Sequence, residues 1–325
     1  MKKVFKVLGY ILLFIVIVVV GLGVYVKTAF PNVGPAREMK VELTPERIKR
    51  GEYLANSVTV CMDCHSKRDW TKFSGPITPG TLGQGGDEFN QKMGFPGVYF
   101  AANITPAGIG DWTDGEIFRA ITEGVRKNGK PIFPVMPHAS YGKLDEEDIK
   151  SVIAYIRTLP SIENAVTESQ SDFPMNFIIN TIPAKANLQK MPVPTDTVNY
   201  GKYMVTAAAC FDCHTQVDKG EFLKGMDFGG GRSFEMPGGV LSSANISPDV
   251  KTGIGSWSQE QFLNKFKTYR DSSIYTKTVA PADFNSLMPW SMYAQMKDED
   301  LKAIYAYLRT VKPVSNAVEK FKPKN

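Results

Sequence analysis

Residues Val7 to Val26 form an uncharged run of 20 positions dense in Ile, Leu and Val. As a helix rising about 1.5 Å per residue, such a run is roughly 30 Å long, the thickness of a bilayer's hydrocarbon core. Lys2, Lys3 and Lys6 precede it, and positive charge on that side predicts a cytoplasmic N-terminus with the remainder outside. A cleaved secretion signal shares this charge pattern. The length of the run, and the segment Lys27-Thr28-Ala29-Phe30-Pro31 after it with no clean small-x-small site, favour a retained single-pass anchor. Residues 1–30 therefore read as cytoplasmic tip and transmembrane anchor, and residues 31–43 as a tether.

From residue 44 the pattern turns amphipathic. Thr44-Pro45-Glu46 offers a cap with proline at the first helical position, opening a helix that runs to Cys61. Thr113-Asp114-Gly115-Glu116 and Ser258-Gln259-Glu260-Gln261 are capping boxes, each directly after a tryptophan. The helices they open carry Ile117 and Ile121, and Phe262 and Phe266, at four-residue spacing. Two more helices begin in acid, Asp145-Glu146-Glu147-Asp148 and Asp298-Glu299-Asp300, where negative side chains complement the helix dipole. Apolar stripes follow, Ile149, Val152, Ile153, Ile156 in one and Leu301, Ile304, Tyr305, Leu308 in the other. No comparable period-two run appears, so the fold is expected to be mainly α.

The pattern also repeats. Gly51-Glu52-Tyr53-Leu54 answers to Gly201-Lys202-Tyr203-Met204, Asn103-Ile104-Thr105-Pro106 to Asn245-Ile246-Ser247-Pro248, and Gly108-Ile109-Gly110-Asp111-Trp112 to Gly253-Ile254-Gly255-Ser256-Trp257. Met136-Pro137 matches Met288-Pro289, and Tyr155 and Tyr307 each lie 19 residues beyond those methionines. So many matches in one order imply an internal duplication, with a first domain at 44–160 and a second at 195–312. Residues 161–194 fit neither copy and read as an inter-domain connection packing across both, and 313–325 as a C-terminal tail.

Composition narrows the chemistry. The 325 residues are 43% hydrophobic and 22% charged, which excludes disorder, collagen and a polytopic transporter. All four cysteines and two of the three histidines fall in Cys61-Met62-Asp63-Cys64-His65 and Cys210-Phe211-Asp212-Cys213-His214. In this pattern two thiols add across haem vinyl groups and the adjacent imidazole binds iron. Zinc would require further ligands at suitable positions, and a thioredoxin-like dithiol explains neither the histidine nor its repetition. Two covalently bound haem c groups are expected, with no cysteine left for a disulfide or a catalytic thiol. Their propionates would add about four negative charges, bringing the formal +5 near neutrality. With no basic stripe either, nucleic-acid binding has no support.

His65 and His214 being committed, His138 is the sole free imidazole, so both irons cannot have bis-histidine ligation. Met136 and Met288 occupy matching places, and the proline after each stiffens a loop that holds a thioether near iron. A methionine is commonly core filler; the duplicated position favours ligation, with His138 competing at the first site. Trp112 and Trp257 read as haem-edge contacts, propionate donors or ordinary core. Asn103 and Asn245 read as pins of their own turns or propionate donors, Arg157 and Arg309 as propionate partners or exposed helix residues, and Lys127 and Lys130 as a docking rim or a solvated turn.

On these motifs, residues 44–312 resemble a dihaem class I cytochrome c, similar to the c-type cytochrome subunits of membrane-bound sugar, alcohol and aldehyde dehydrogenases. The resemblance implies two tandem mainly α domains. In each, an N-terminal helix bearing Gly51 or Gly201 crosses a C-terminal helix bearing Tyr155 or Tyr307, the glycine allowing close approach. Those subunits commonly carry three haems, whereas this chain has two motifs. The implied role is single-electron transfer in an extracytoplasmic respiratory chain, at the bacterial cytoplasmic membrane. A dehydrogenase or quinol-oxidising complex would be the donor, and a cytochrome oxidase or soluble cytochrome the acceptor. A dihaem peroxidase is the alternative enzyme, but it needs an open iron position, and a thiosulfate-oxidising enzyme needs an unusual axial ligand that no spare cysteine supplies.

Overall fold

The computed structural model describes residues 2–324. Its first element, α1 (Lys2–Ala29), is 28 residues long, exposed over most of its length with no buried residue, and long and apolar enough to cross a membrane. The segment after it is not a loose tether. Val33 and Val41 are buried, the Val41 N–H donates to Asp114 Oδ2 at 2.7 Å, and Arg37 pairs with Glu146 at 3.0 Å.

Each half is then organised around one pair of crossed helices. In the first, α2 (Pro45–Tyr53) crosses α4 (Glu146–Ile156), with α3 (Asp114–Glu123) beside them. In the second, α5 (Thr197–Ala207) crosses α7 (Asp298–Leu308), with α6 (Gln259–Lys267) beside them. The crossing is close enough to demand glycine. A Cβ on Gly51 would lie 1.8 Å from the Ser151 carbonyl oxygen, and one on Gly201 would lie 1.9 Å from that of Ala303. Thr44 caps α2 by accepting from the Arg47 N–H, and both expected capping boxes form, at Thr113/Glu116 and Ser258/Gln261.

The halves differ by one residue between glycine and motif. Ten positions separate Gly51 from Cys61 and nine separate Gly201 from Cys210. The extra residue is absorbed by a π-helical turn at Leu54–Val58, the usual way a helix takes in an insertion without losing its axis.

The fold is mainly α, as expected, but three small sheets were not foreseen: Glu88–Phe89 with Gly97–Phe100 and Gln170–Ser171, Val217–Asp218 with Glu221–Phe222, and Ser233–Met236 with Gly239–Ser242 and Phe321–Pro323. None of their strands exceeds four residues, too short for an alternating pattern to register.

The sheets also correct the reading of the connection and the tail. Residues 161–171, expected to follow neither copy, mirror 313–323. Asn103 Nδ2 donates to the Ile162 carbonyl at 2.8 Å where Asn245 Nδ2 donates to that of Val314 at 2.7 Å. Asn164 reaches the Gln84 carbonyl where Asn316 reaches that of Gly229, both at 2.9 Å. Gln170–Ser171 and Phe321–Pro323 then close matching sheets. The tail is therefore part of the second half. The rest of the connection returns along the first half, where the Met191 N–H donates to Asp145 Oδ2 at 2.9 Å.

The halves meet through a reciprocal exchange. The Tyr53 hydroxyl donates to Asp300 and accepts from the Lys297 N–H. The Tyr203 hydroxyl donates to Asp148 at 2.6 Å and accepts from the Asp145 N–H at 3.2 Å. Burial, and then the facing carboxylate's charge, hold both phenols well above their ordinary pKa, so they remain donors throughout the physiological range.

Candidate functional site: two cysteine-histidine motifs on one cavity

Both Cys-x-x-Cys-His motifs line a single continuous cavity of about 1950 Å³. Each begins a one-turn helix, Cys61–Cys64 or Cys210–His214, directly after a residue in the left-handed region, Val60 at φ 43° or Ala209 at φ 49°. That conformation is costly, most of all for a β-branched valine, and it reverses the chain between the preceding helix and the motif. The turn is held from across the cavity. Tyr141 Oη donates to the Thr59 carbonyl at 2.7 Å and Tyr293 Oη to that of Ala208 at 2.8 Å.

The two histidines are oriented identically. His65 Nδ1 is 2.7 Å from the Ala102 carbonyl oxygen, and His214 Nδ1 is 2.7 Å from that of Ala244. A carbonyl can only accept, so the proton sits on Nδ1 and the Nε2 lone pair is left for a metal. Burial pushes both imidazoles below their ordinary pKa, favouring the neutral ligating form. The segments bearing those carbonyls come close because glycines oppose them. Gly85 and Gly230, at φ 72° and 70°, donate their N–H groups to the His65 and His214 carbonyls at 2.9 and 2.8 Å.

Met136 and Met288 line the same cavity. Their loops are built alike, with the His138 N–H donating to the Met136 carbonyl at 2.7 Å and the Trp290 N–H to that of Met288 at 2.8 Å. His138 itself is not on the cavity wall. It is 2% exposed, its ring lies against Gly124 and its Nε2 has no hydrogen-bond partner. Burial pushes its pKa down to about 4.

Each half thus brings to the cavity two thiols, an imidazole with a free Nε2, a thioether and an apolar wall: Ile104, Ile109 and Ile121 in the first, Ile246, Ile254 and Phe262 in the second. That donor set fits a covalently attached haem. No cluster of three or more His, Cys, Asp or Glu suited to a bare metal ion forms among the described residues. Burial pushes the Cys61, Cys64 and Cys210 thiols up, Cys210 to about 12, the opposite of an activated redox dithiol.

The remaining sequence candidates separate cleanly. Trp112 and Trp257 line the cavity and pack on the core. Asn103 and Asn245 pin their own turns, accepting from the Thr105 and Ser247 N–H groups at 3.0 and 2.9 Å, and tie them to the returning strand. Arg157 is neither exposed nor turned to the cavity. It pairs with Asp114 and donates to the Ile109 and Trp112 carbonyls, as Arg309 does to those of Ile254 and Gly255. Lys127 and Lys130 are taken up by Asp111 and Glu168.

Sequence reasoning missed three arginines on the cavity wall, Arg68, Arg126 and Arg232. Arg68 pairs with Asp63 at 2.9 Å, and its guanidinium lies 4.1 Å from the Trp70 ring centre. Burial, opposed by Arg68, pushes Asp63 up to about 6. Arg232 donates to the Asp212 carbonyl. The aspartate shared by the two motifs was the available signal. The reach of each half into the other's site was also missed. Ser74 Oγ donates to the Met288 carbonyl at 2.5 Å, and Ser140 Oγ to Asp212 Oδ2 at 2.9 Å.

Residues 198–312 match the cytochrome c family. The chain is 29% identical to the fructose dehydrogenase cytochrome subunit of Gluconobacter japonicus and 26% identical to the cytochrome c subunit of alcohol dehydrogenase (quinone) of Gluconobacter oxydans. These alignments cover 81% and 82% of this chain but only 52% and 55% of the relatives, so it spans about half their length. A diheme cytochrome c-type protein of Cereibacter sphaeroides is 25% identical over 77% of this chain and 81% of its own length. The chain is homologous to the cytochrome c subunits of membrane-bound sugar and alcohol dehydrogenases, and its residues 198–312 form a cytochrome c domain.

Proposed function

We propose that this chain is a membrane-anchored dihaem c-type cytochrome passing single electrons outside the cytoplasmic membrane, from a dehydrogenase or quinol-oxidising complex toward a terminal acceptor. The observation that carries this reading is the repetition of one donor set on one cavity. Cys61 and Cys64 would hold the first haem, with His65 and Met136 on its iron. Cys210 and Cys213 would hold the second, with His214 and Met288. Bound haem would supply an iron that gains or loses one electron.

The chain's own residues provide the rest. The Nδ1 bonds of His65 and His214 fix the proximal ligand, and Tyr141 and Tyr293 brace the methionine loops against the motifs. Met136 and Met288, if both bind iron, would leave no open position for peroxide, which favours a carrier over a peroxidase. Ser74 and Ser140 lock the two sites together. The relatives named for dehydrogenases support a dehydrogenase donor, and the dihaem relative supports the haem count. The length of α1 and the lysines in its first turns support an anchor with the halves outside.

Intact mass of the native protein should show two haem increments; one increment sinks the reading. Met136→Ala should abolish the sulfur-to-iron absorption of the first haem alone, and Met288→Ala that of the second. A first-haem spectrum unchanged by Met136→Ala but disrupted by His138→Ala would overturn the ligand assignment.

A further inference from the structure

The apolar surface at the outer end of α1 continues onto a second segment. Phe173 is 81% exposed and Ile178 46% exposed, and Phe177 lies between them and α1. Its Cε1 is 3.4 Å from where a Cβ on Gly23 would sit, and the Lys27 ammonium is 5.0 Å from its ring centre. Phe173 and Phe177 meet edge to face, with ring centres 6.4 Å apart. Gly23 belongs to the uncharged run, while Tyr25 and Lys27 mark its outer border, residue types that settle at a membrane–water interface. A single exposed phenylalanine needs no explanation. Here the exposed side chains adjoin a helix of membrane-spanning length, near the C-terminal end of its uncharged run.

We propose that Phe173–Ile178 is a lipid-binding shelf that enters the outer leaflet beside α1 and fixes how the haem-bearing halves sit on the membrane. The inference rests on reading α1 as a membrane anchor. A free helix gives a tethered body no preferred orientation, whereas a second apolar contact beside it gives one. The shelf also selects which part of the cavity faces the bilayer. Ile179, next in the chain, lies on the cavity wall, as do Tyr99 and Ser171 of the first half's sheet, so the first-half side of the cavity is held toward the membrane surface.

The test uses full-length protein carrying both haems, in which the native thiols are consumed and an introduced cysteine can be spin-labelled. Leu12→Cys, Phe173→Cys, Ile178→Cys and Val250→Cys variants are reconstituted in phosphatidylcholine vesicles. Power saturation then compares access to lipid-soluble oxygen with access to an aqueous nickel chelate. Labels at 173 and 178 should favour oxygen several-fold, like that at 12, and that at 250 should favour nickel. If 12 lies in lipid while 173 and 178 behave like 250, the shelf is wrong and the anchor stands. If 12 is aqueous, the anchor reading falls and the shelf with it. Labels at 173 and 178 shielded from both reagents would mean a protein surface covers them, which also overturns the proposal.

Discussion

At the contact between the halves, Asp148 and Asp300 stand in matching positions, and each receives a hydroxyl from the other half, Tyr203 and Tyr53 respectively. Their second partners differ. Arg50, one residue before Gly51, grips Asp148 with Nε and Nη2, both at 2.8 Å. Tyr200, one residue before Gly201, donates its hydroxyl to Asp300 at 2.7 Å. One carboxylate is thus answered by a guanidinium and a phenol, and the other by two phenols. Burial works against the Arg50 charge, but the bond to Asp148 and that carboxylate's charge outweigh it and raise its pKa. The two halves share the geometry of donors around a buried carboxylate and differ in their chemistry.

The harshest way to probe the likeness is through what the halves share. Gly51→Ala and Gly201→Ala each drive a Cβ into a backbone oxygen of the partner helix, at 1.8 and 1.9 Å. Backbone cannot step aside as a side-chain tip does, so each substitution must force its helices apart. Each should cost about 3 kcal/mol or more and lower the yield of folded holoprotein. Thermal unfolding followed by circular dichroism should show losses of similar size. A much milder effect at one position would mean that its half tolerates a wider crossing.

The difference between the halves is sharpened by Arg50→Met and Tyr200→Phe. The first leaves buried Asp148 with only the Tyr203 hydroxyl and should cost about 3 kcal/mol. The second removes one neutral donor and leaves Tyr53 on Asp300, for about 1 kcal/mol. Denaturant titrations of the two variants separate these values. Equal losses would show that the guanidinium contributes no more than a phenol at this contact.

Much of the site was legible because its signals are local. A capping box, a Cys-x-x-Cys-His motif and a Met-Pro pair declare themselves within a few residues, and each occurred twice in order. Three kinds of feature were not legible. The Tyr53–Asp300 and Tyr203–Asp148 bonds join residues far apart in sequence, and either aspartate could equally have been one more acid opening a helix. The return strands rest on the short match of Asn164-Ala165-Val166 with Asn316-Ala317-Val318, whose meaning appears only when Asn164 and Asn316 reach equivalent carbonyls. The π-helical turn was present as a one-residue discrepancy in spacing, yet spacing does not say which conformation absorbs an insertion.

The smallest expected effect lies at the starts of α4 and α7. Asp145 caps α4, accepting from the Glu147 N–H at 3.0 Å and from the Met191 N–H at 2.9 Å. Its counterpart Lys297 makes no side-chain cap. Burial alone would raise the Asp145 pKa, but the backbone bonds from Met191 and Glu147, with Lys190 nearby, prevail and hold it below the ordinary carboxylate value. A carboxyl depressed by folding contributes stability that is complete above its unfolded pKa of about 3.9 and disappears as pH falls through the folded value. Asp298 in α7 is also lowered, by its bond to Lys267, but it is exposed, and salt screens such a pair. In high salt, therefore, acid below about pH 4 should loosen the Asp145 end of the first half before the corresponding end of the second. Asp145→Asn keeps an acceptor for the cap and removes the titration. Its stability deficit, below about 1 kcal/mol, should be constant above about pH 5 and shrink as the pH falls below about 4. Amide exchange at Met191 and Glu147 across that range reads the effect directly, and an acid limb unchanged by the substitution would assign the asymmetry to some other group.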